Sequence, residues 1–142
     1  MPYTRSSNIW RALVVKVRAT SPLYASLTGG IHRGLAPEKT EYPLAVYTPV
    51  ASPYEDTFGG DTRLIVGVCD VVILSRNSVE ADNLDQSMAD ALDGAELTVT
   101  GQSTLICRRI NDLDLEPEFD DEGKKVYPVG GTYEIWTDQQ PT

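Results

Sequence analysis

The chain has 142 residues, of which 41% are hydrophobic and 23% charged, as expected for one globular domain with a single core. Its net charge of −9 argues against binding nucleic acid through a basic surface, although an acidic wall would suit a conduit through which DNA slides without sticking. The first residues lack the apolar stretch of a secretory signal, and no apolar run is long enough to span a bilayer. We therefore expect a protein that works in the cytosol or in an assembly made there.

The first predicted element is a helix from about Asn8 to Ala19, in which apolar side chains recur with the helical period. Ser7 or Asn8 could cap it. The pair Ser21-Pro22 is expected to end this helix and to begin a short helical turn through Leu27. The predicted buried stripe of the first helix consists of Trp10, Leu13, Val14 and Val17.

Two strand-like segments follow, and a loop comes after them. Ile31–Pro37 is predicted to be a short edge segment, and Pro43–Thr48 a strand that its flanking prolines confine to a few residues. The next segment, Pro49–Asp61, contains prolines, glycines and the aromatic residues Tyr54 and Phe58. A loop of about a dozen residues is long enough to suggest a binding role.

The most informative segment is a long strand from about Thr62 to Leu74. Nine of the eleven residues from Leu64 to Leu74 are apolar, and most of these are β-branched. Both faces of such a strand should be covered, as they are at the centre of a sheet.

A second long helix is predicted from Ser78 to Leu92. Asn77 and Glu80 stand in the relation of a capping box, and Gly94 should stop the helix. The predicted buried stripe consists of Ala81, Leu84, Met88, Ala91 and Leu92. The acidic outer face is interpreted as solvated surface, because isolated surface ion pairs contribute little. It consists of Glu80, Asp82, Asp85, Asp90 and Asp93.

The last third of the chain is predicted to be rich in strands. Leu97–Thr100 and Thr104–Ile110 have strand patterns, and Val126–Thr137 would form the closing strand. Between them, Pro117–Lys125 is typical of a charged hairpin tip. The pair Gly130-Gly131 inside the closing strand predicts a bulge.

These elements predict a single α+β domain over residues 1–142, with extended tails at 1–7 and 139–142. The sheet should be mostly antiparallel, with a long central strand and two helices packed on one face. A long sheet has edges that must be covered, which indicates a subunit of an assembly.

Motifs of catalysis and cofactor binding are absent from the sequence. It contains no nucleophile elbow, no glycine-rich dinucleotide fingerprint and no Walker-type phosphate loop. Cys69 and Cys107 lie in apolar strand patterns and are interpreted as reduced core thiols. The single histidine, His32, is interpreted as a solvated edge residue, and the spacing of a metal site is missing. We therefore expect no catalytic residue, no cofactor and no metal.

The acidic run Asp112–Glu122 allows a second interpretation. Its carboxylates could hold a hard cation, but the alternating segment Asp112–Glu116 lacks the early glycine of a calcium loop. Carboxylates on alternate residues of a strand share one face but diverge, so a solvated acidic face is preferred. A small metal-dependent enzyme, or glycoside chemistry at paired carboxylates, stays as a less favoured alternative.

Aromatic residues in loops are common at protein interfaces, which makes the long loop and the hairpin tip candidates for partner binding. The candidate interface residues are Tyr54, Phe58, Glu116, Phe119, Asp120 and Asp121. Three arginines in or next to strands are candidates for ion pairs between subunits, namely Arg76, Arg108 and Arg109.

Several short motifs, in their order along the chain, resemble the tail terminator (tail completion) proteins of long-tailed, siphovirus-like bacteriophages. The opening motifs are Trp10-Arg11-Ala12-Leu13, Gly30–Pro37 and Tyr42–Tyr47. The second half continues with Leu105–Arg109 and Tyr133–Thr137. The resemblance covers nearly the whole chain.

The resemblance implies a structural virion protein that forms a ring, usually a hexamer. Such a ring caps the tail tube, stops its elongation and offers an interface to the head connector. The implied partners are further copies of the chain, the tail tube protein and the head-completion protein, with DNA as transient cargo in the lumen and no membrane. The implied location is the tail or neck of the virion, after assembly in the host cytoplasm. The alternative is another neck or minor tail protein, such as a head-closure or head–tail joining ring.

Overall fold

The computed structural model describes residues 6–51, 64–98 and 105–137. The helices in these ranges are α1 (Ser6–Ala19), α2 (Ser21–Ser26) and α3 (Ser78–Leu92). The strands in these ranges are β1 (Ile31–Arg33), β2 (Leu44–Ala51), β3 (Leu64–Ser75), β4 (Glu96–Leu97), β5 (Leu105–Leu113), β6 (Glu118–Phe119) and β7 (Lys125–Thr137).

Most of the strands form one continuous sheet in the order β1-β2-β3-β7-β5-β4, and β6 pairs with the start of β7. β1 and β2 are parallel, whereas the other pairs are antiparallel. This confirms the predicted α+β class and the mostly antiparallel sheet, with the long β3 near its centre. α1 and α3 pack on one face of the sheet, and the short α2 packs against both of them.

The core lies between the helices and one face of the sheet. On β3, the core-facing residues Cys69, Val71 and Ile73 are at most 1% exposed. Val72 and Leu74, which point to the opposite face, are half-buried. The apolar run of β3 predicts that other elements cover both faces of the strand. The described helices lie together on one face, and the side chains on the second face are only half-buried.

Trp10 anchors α1 to the sheet. Its side chain is 1% exposed, and its indole ring lies directly over Gly67 of β3. A Cβ atom at position 67 would lie 2.6 Å from Cη2 of Trp10, so glycine is required for this close approach. The predicted stripe is confirmed, since Leu13 and Val17 are also fully buried and Val14 packs against the core.

The start of α1 differs from the prediction. The helix begins at Ser6, so Ser6 and Ser7 are helical, whereas an extended tail was predicted for residues 1–7. Ser7 and Asn8 therefore lie inside the helix and do not cap it. In the sequence the apolar period begins later, at Ile9 and Trp10, so it does not mark the first turn of the helix.

The predicted bounds and the predicted cap of α3 are confirmed. Oδ1 of Asn77 accepts hydrogen bonds from the backbone N–H groups of Val79 (2.9 Å) and Glu80 (3.0 Å). The return bond of the capping box runs through Ser75: its hydroxyl accepts from the N–H of Asn77 at 3.1 Å and donates to Oε1 of Glu80 at 2.6 Å. Gly94, at φ +77°, ends the segment as predicted.

Replacing Asn77 by alanine is expected to lower the free energy of unfolding by about 1 kcal/mol, because two N–H groups of α3 lose their acceptor. Urea denaturation measures the loss. The matched control is Asn83→Ala, the same chemical change at an exposed position inside α3. Equal effects of the two substitutions would show that the cap contributes nothing.

β2 continues to Ala51, beyond the predicted end at Thr48. β1 pairs with β2 only at residues 45–47, so the edge of β2 that faces β1 is free at Pro49. The missing N–H of Pro49 therefore costs no ladder hydrogen bond, and the strand passes through this proline. A register shift follows between Pro49 and Ala51.

The bulge that was predicted at Gly130-Gly131 of β7 is found in the neighbouring strand β5. β7 pairs with β3 through both glycines without a shift, whereas the pairing of β5 with β7 shifts between Arg109 and Asn111. The glycines allow close approach. A Cβ atom on Gly130 would lie 2.4 Å from the carbonyl oxygen of Val71, and one on Gly131 would lie 2.4 Å from Cζ of Arg109.

Both cysteines are free and buried in the core, which confirms the prediction of two reduced core thiols. Burial raises the pKa of the Cys69 and Cys107 thiols to about 12. Both therefore stay protonated near neutral pH. His32 is half-buried rather than solvated, and its Nε2 lies 2.6 Å from the carbonyl oxygen of Gly29.

Candidate partner-binding site

The acidic tip of the predicted hairpin is an ordered turn between β6 and β7. Phe119 pairs with Lys125, and Glu118 pairs with Val126. Oδ1 of Asp120 accepts from the backbone N–H groups of Glu122 (2.9 Å) and Lys124 (2.8 Å). The turn is thus held by a side chain that lies within the acidic run itself.

Arg76 joins the hairpin tip to the end of β3. Its guanidinium forms an ion pair with Asp120, with Nη2 2.5 Å from Oδ2, and its Cζ lies 4.5 Å from the ring centroid of Tyr42. The N–H of Lys124 and the Arg76 guanidinium together lower the pKa of the Asp120 carboxyl below its ordinary value. Arg76 therefore holds three segments in a fixed relation.

A groove of about 940 Å³ lies between this tip and the loop that precedes β2. We call it the tip groove. Its apolar wall includes Leu44 and Leu74. Its acidic side chains are Glu38, Glu41, Asp120, Asp121 and Glu122, against the two cations Lys39 and Arg76. The groove can accept a segment that carries cationic and apolar side chains.

Four of the six candidate interface residues belong to the hairpin or lie beside it. Glu116, Phe119 and Asp121 are exposed on or beside the hairpin, and Phe119 is 69% exposed although it is a large apolar residue. Asp120 belongs to the same hairpin, but Arg76 and the turn already occupy its carboxylate.

Tyr54 and Phe58 lie outside the described residues. The segment that contains them joins Ala51 of β2 to Leu64 of β3. Their role at an interface stays a prediction.

Arg109 forms a partly buried cluster of hydrogen bonds between α3 and the sheet. Its guanidinium donates two parallel hydrogen bonds to Asp85, at 2.9 and 2.8 Å, and others to the hydroxyl of Tyr133 (3.0 Å) and the carbonyl oxygen of Gly130 (3.0 Å). The side chains of Arg109 and Asp85 are 12% and 13% exposed. The hydrogen bonds with Asp85 raise the pKa of the Arg109 guanidinium above its ordinary value.

This cluster corrects the interpretation of α3. Its outer face was interpreted as wholly solvated, but Asp85 is half-buried and paired. The sequence contained one signal that could have revealed this: a glycine pair at the centre of a long strand leaves room for a large side chain, and Arg109 fills the space over Gly131.

The three arginines proposed for contacts between subunits therefore differ in what they can offer. Arg76 and Arg109 have partners inside the chain. Arg108 is exposed, opposite Glu134 in the pairing of β5 with β7. Its role at a subunit contact stays a prediction.

In the part of the chain that the structure describes, which includes the acidic run, no group of three or more His, Cys, Asp or Glu side chains is placed to hold an ion. Two carboxylates of this run have other partners, because Asp112 pairs with Arg109 at 2.9 Å and Asp120 pairs with Arg76.

Of the helices within residues 6–51, 64–98 and 105–137, none is long and apolar enough to cross a membrane.

Comparison with known proteins agrees with the resemblance found in the sequence. The family described as tail completion protein gp17 matches residues 11–138. No curated protein matches the chain. The fold is similar to that of a chain in the virion of a native gene transfer agent particle, with 14% identity, a TM-score of 0.59, and coverage of 96% of this chain and 98% of that chain. Since the family match extends over nearly the whole sequence, the chain belongs to the tail completion protein gp17 family.

Proposed function

We propose that this protein closes into a homohexameric ring that caps the tail tube, stops its elongation and provides the interface for the head connector. As a tail completion protein it is a structural protein of a phage tail. The proposal adds the ring, its two partners and its position in the neck of the virion.

The observation that carries the proposal is the candidate docking surface at one end of the sheet. One end has the tip groove and the exposed Phe119. The opposite end, where Leu64 of β3 pairs with Thr137 of β7, is formed by other residues. A ring placed between a tube and a connector needs two unlike axial surfaces, and a subunit with two unlike ends supplies them when its copies are related by rotation about one axis.

The ring would act through the shape and charge of its binding surfaces and not through catalysis. It would bind the last ring of the tube through one surface and present no second tube-binding surface, so elongation would stop. The net charge of −9 on every copy disfavours adhesion of DNA as it passes through the lumen. The acidic tip groove favours a partner segment with Lys or Arg next to apolar side chains.

Substitution of Phe119 by alanine is expected to impair one of the two docking steps while changing the free energy of unfolding by no more than about 0.5 kcal/mol. Phe119 is 69% exposed, so its removal costs the isolated chain little, whereas a buried aromatic residue contributes much at an interface. Complementation of a particle that lacks the protein, scored for tail length and for head–tail joining, measures the effect.

The control for Phe119 is Leu35→Ala, the loss of a residue that is 88% exposed and does not line the tip groove. The control should leave both scores unchanged. Normal tail length and normal head–tail joining with the Phe119 variant would show that the hairpin tip is not a docking surface.

Negative-stain electron microscopy of the purified protein, paired with its mass in solution and in complex with tail tubes, tests the ring. We expect a toroid of six copies, either free or at one end of the tube. A protein bound to the tube as single, unclosed copies would contradict the proposal. Another neck or tail protein, such as a head-closure ring, would instead attach to the connector in the absence of a tube.

A further inference from the structure

Two helices in the same layer carry charges of opposite sign. α1 contains Arg11, Lys16 and Arg18 and no acidic residue, whereas α3 contains four acidic residues and no basic residue. On a chain with nearly twice as many acidic as basic residues, a purely basic helix is a marked local departure. Both helices lie on the same side of the sheet.

Two exposed charges on each helix lie in one stripe, whereas the exposed Glu80 of α3 lies off the stripe and accepts a hydrogen bond from Ser75. On α1 the stripe is formed by Arg11, Val15 and Arg18, at spacings of four and three residues. On α3 it includes Asp82 and Asp90, at a spacing of eight residues. A rise of 1.5 Å per residue separates the two arginines by about 10 Å along the axis and the two aspartates by about 12 Å. The two stripes therefore carry opposite charges at similar spacings along the helix axis.

Each stripe also exposes an apolar residue. Val15 is 59% exposed on α1, and Val79 is 64% exposed one turn before Asp82 on α3. Within residues 6–51, 64–98 and 105–137, none of the four charged side chains of the two stripes has an ion-pair partner. Asp90 accepts one hydrogen bond, from Gln86 at 3.0 Å.

We propose that the basic stripe of α1 in one copy docks on the acidic stripe of α3 in a second copy. This inference rests on the proposed ring, for which it names the contact between subunits. Opposite charges on two different surfaces of one chain favour a contact between unlike patches, which is the type of interface that a ring requires. Attraction between such surfaces also speeds association and weakens as salt rises.

Charge reversal with restoration tests this contact. Arg11→Glu with Arg18→Glu should weaken self-association about tenfold or more at low salt, and so should Asp82→Lys with Asp90→Lys. An equimolar mixture of these two variants, or all four substitutions in one chain, should restore association because opposite charges face each other again. Sedimentation velocity at several concentrations measures the masses, and circular dichroism checks that each variant is folded.

Lys124→Glu with Lys125→Glu is the matched control for the arginine variant, since it changes the net charge by the same amount at two exposed residues of the hairpin. It should leave association unchanged. Either single-helix variant associating like the wild type, failure of the mixture to associate, or a wild-type chain that stays monomeric at low salt would each overturn the inference.

The outcomes also separate this contact from the ring. A wild-type ring that is insensitive to all the reversals would leave the proposed function standing without this contact. A charge-dependent dimer that never grows larger would support the contact and contradict the hexamer.

Discussion

An Arg109→Ala variant is expected to lose about 3 kcal/mol of its free energy of unfolding. The substitution would leave Asp85 with no countercharge at 13% exposure, and would remove the donor to the hydroxyl of Tyr133 and to the carbonyl oxygen of Gly130. A partly buried carboxylate without its partner destabilises the folded state, because it has lost hydrogen bonds to water that no protein donor replaces. Urea denaturation near neutral pH measures the loss, which is a large share of a typical domain's stability.

The adjacent residue provides the control for this experiment. Arg108 is exposed, so Arg108→Ala should change the free energy of unfolding by no more than about 0.5 kcal/mol. Asp85→Ala should also be destabilising, and the double variant with Arg109→Ala should lose less than the sum of the two single losses. Additive losses would contradict a direct pair between α3 and β5.

Trp10→Ala is expected to cost about 3–5 kcal/mol, the range for removing a large aromatic side chain from a core. Trp10 is 1% exposed and is the contact through which α1 lies over β3. Thermal or urea denaturation measures the loss. Val15→Ala, at a 59% exposed position of the same helix, is the control and should change stability little.

The contact between Trp10 and Gly67 can be tested by changing both residues, singly and together. Gly67→Ala places a Cβ atom 2.6 Å from the indole and should destabilise the chain by about 1–3 kcal/mol through overpacking. In a Trp10→Ala background the same substitution has room, so its cost should fall sharply. An unchanged cost in that background would show that the glycine is required for another reason.

The elements that the sequence predicted well are those in which a local signal agrees with the tertiary structure. α3 runs from Ser78 to Leu92 as predicted, because a cap, an apolar stripe and a terminal glycine all act within one segment. The long strand β3 was recognisable because nine apolar residues in eleven fit few other structures.

The features that the sequence did not reveal depend on residues far apart in the chain. Pro49 is tolerated because β1 ends early, which no pattern within β2 records. Asp85 is paired because Arg109, 24 residues away, lies over a glycine in a third segment. The same separation explains the candidate site: the hairpin tip was predicted, whereas the groove depends on Tyr42 and Arg76 reaching it from other segments.

The chain belongs to the tail completion protein gp17 family, and we propose the claim that it stops elongation of the tail tube by binding to its last ring. Electron microscopy of particles assembled with and without the protein tests that claim most directly. Without it, we expect tubes that grow beyond their normal length and do not join heads, with both defects repaired when the protein is supplied. Tubes of normal length in its absence would contradict the account, whether or not they join heads.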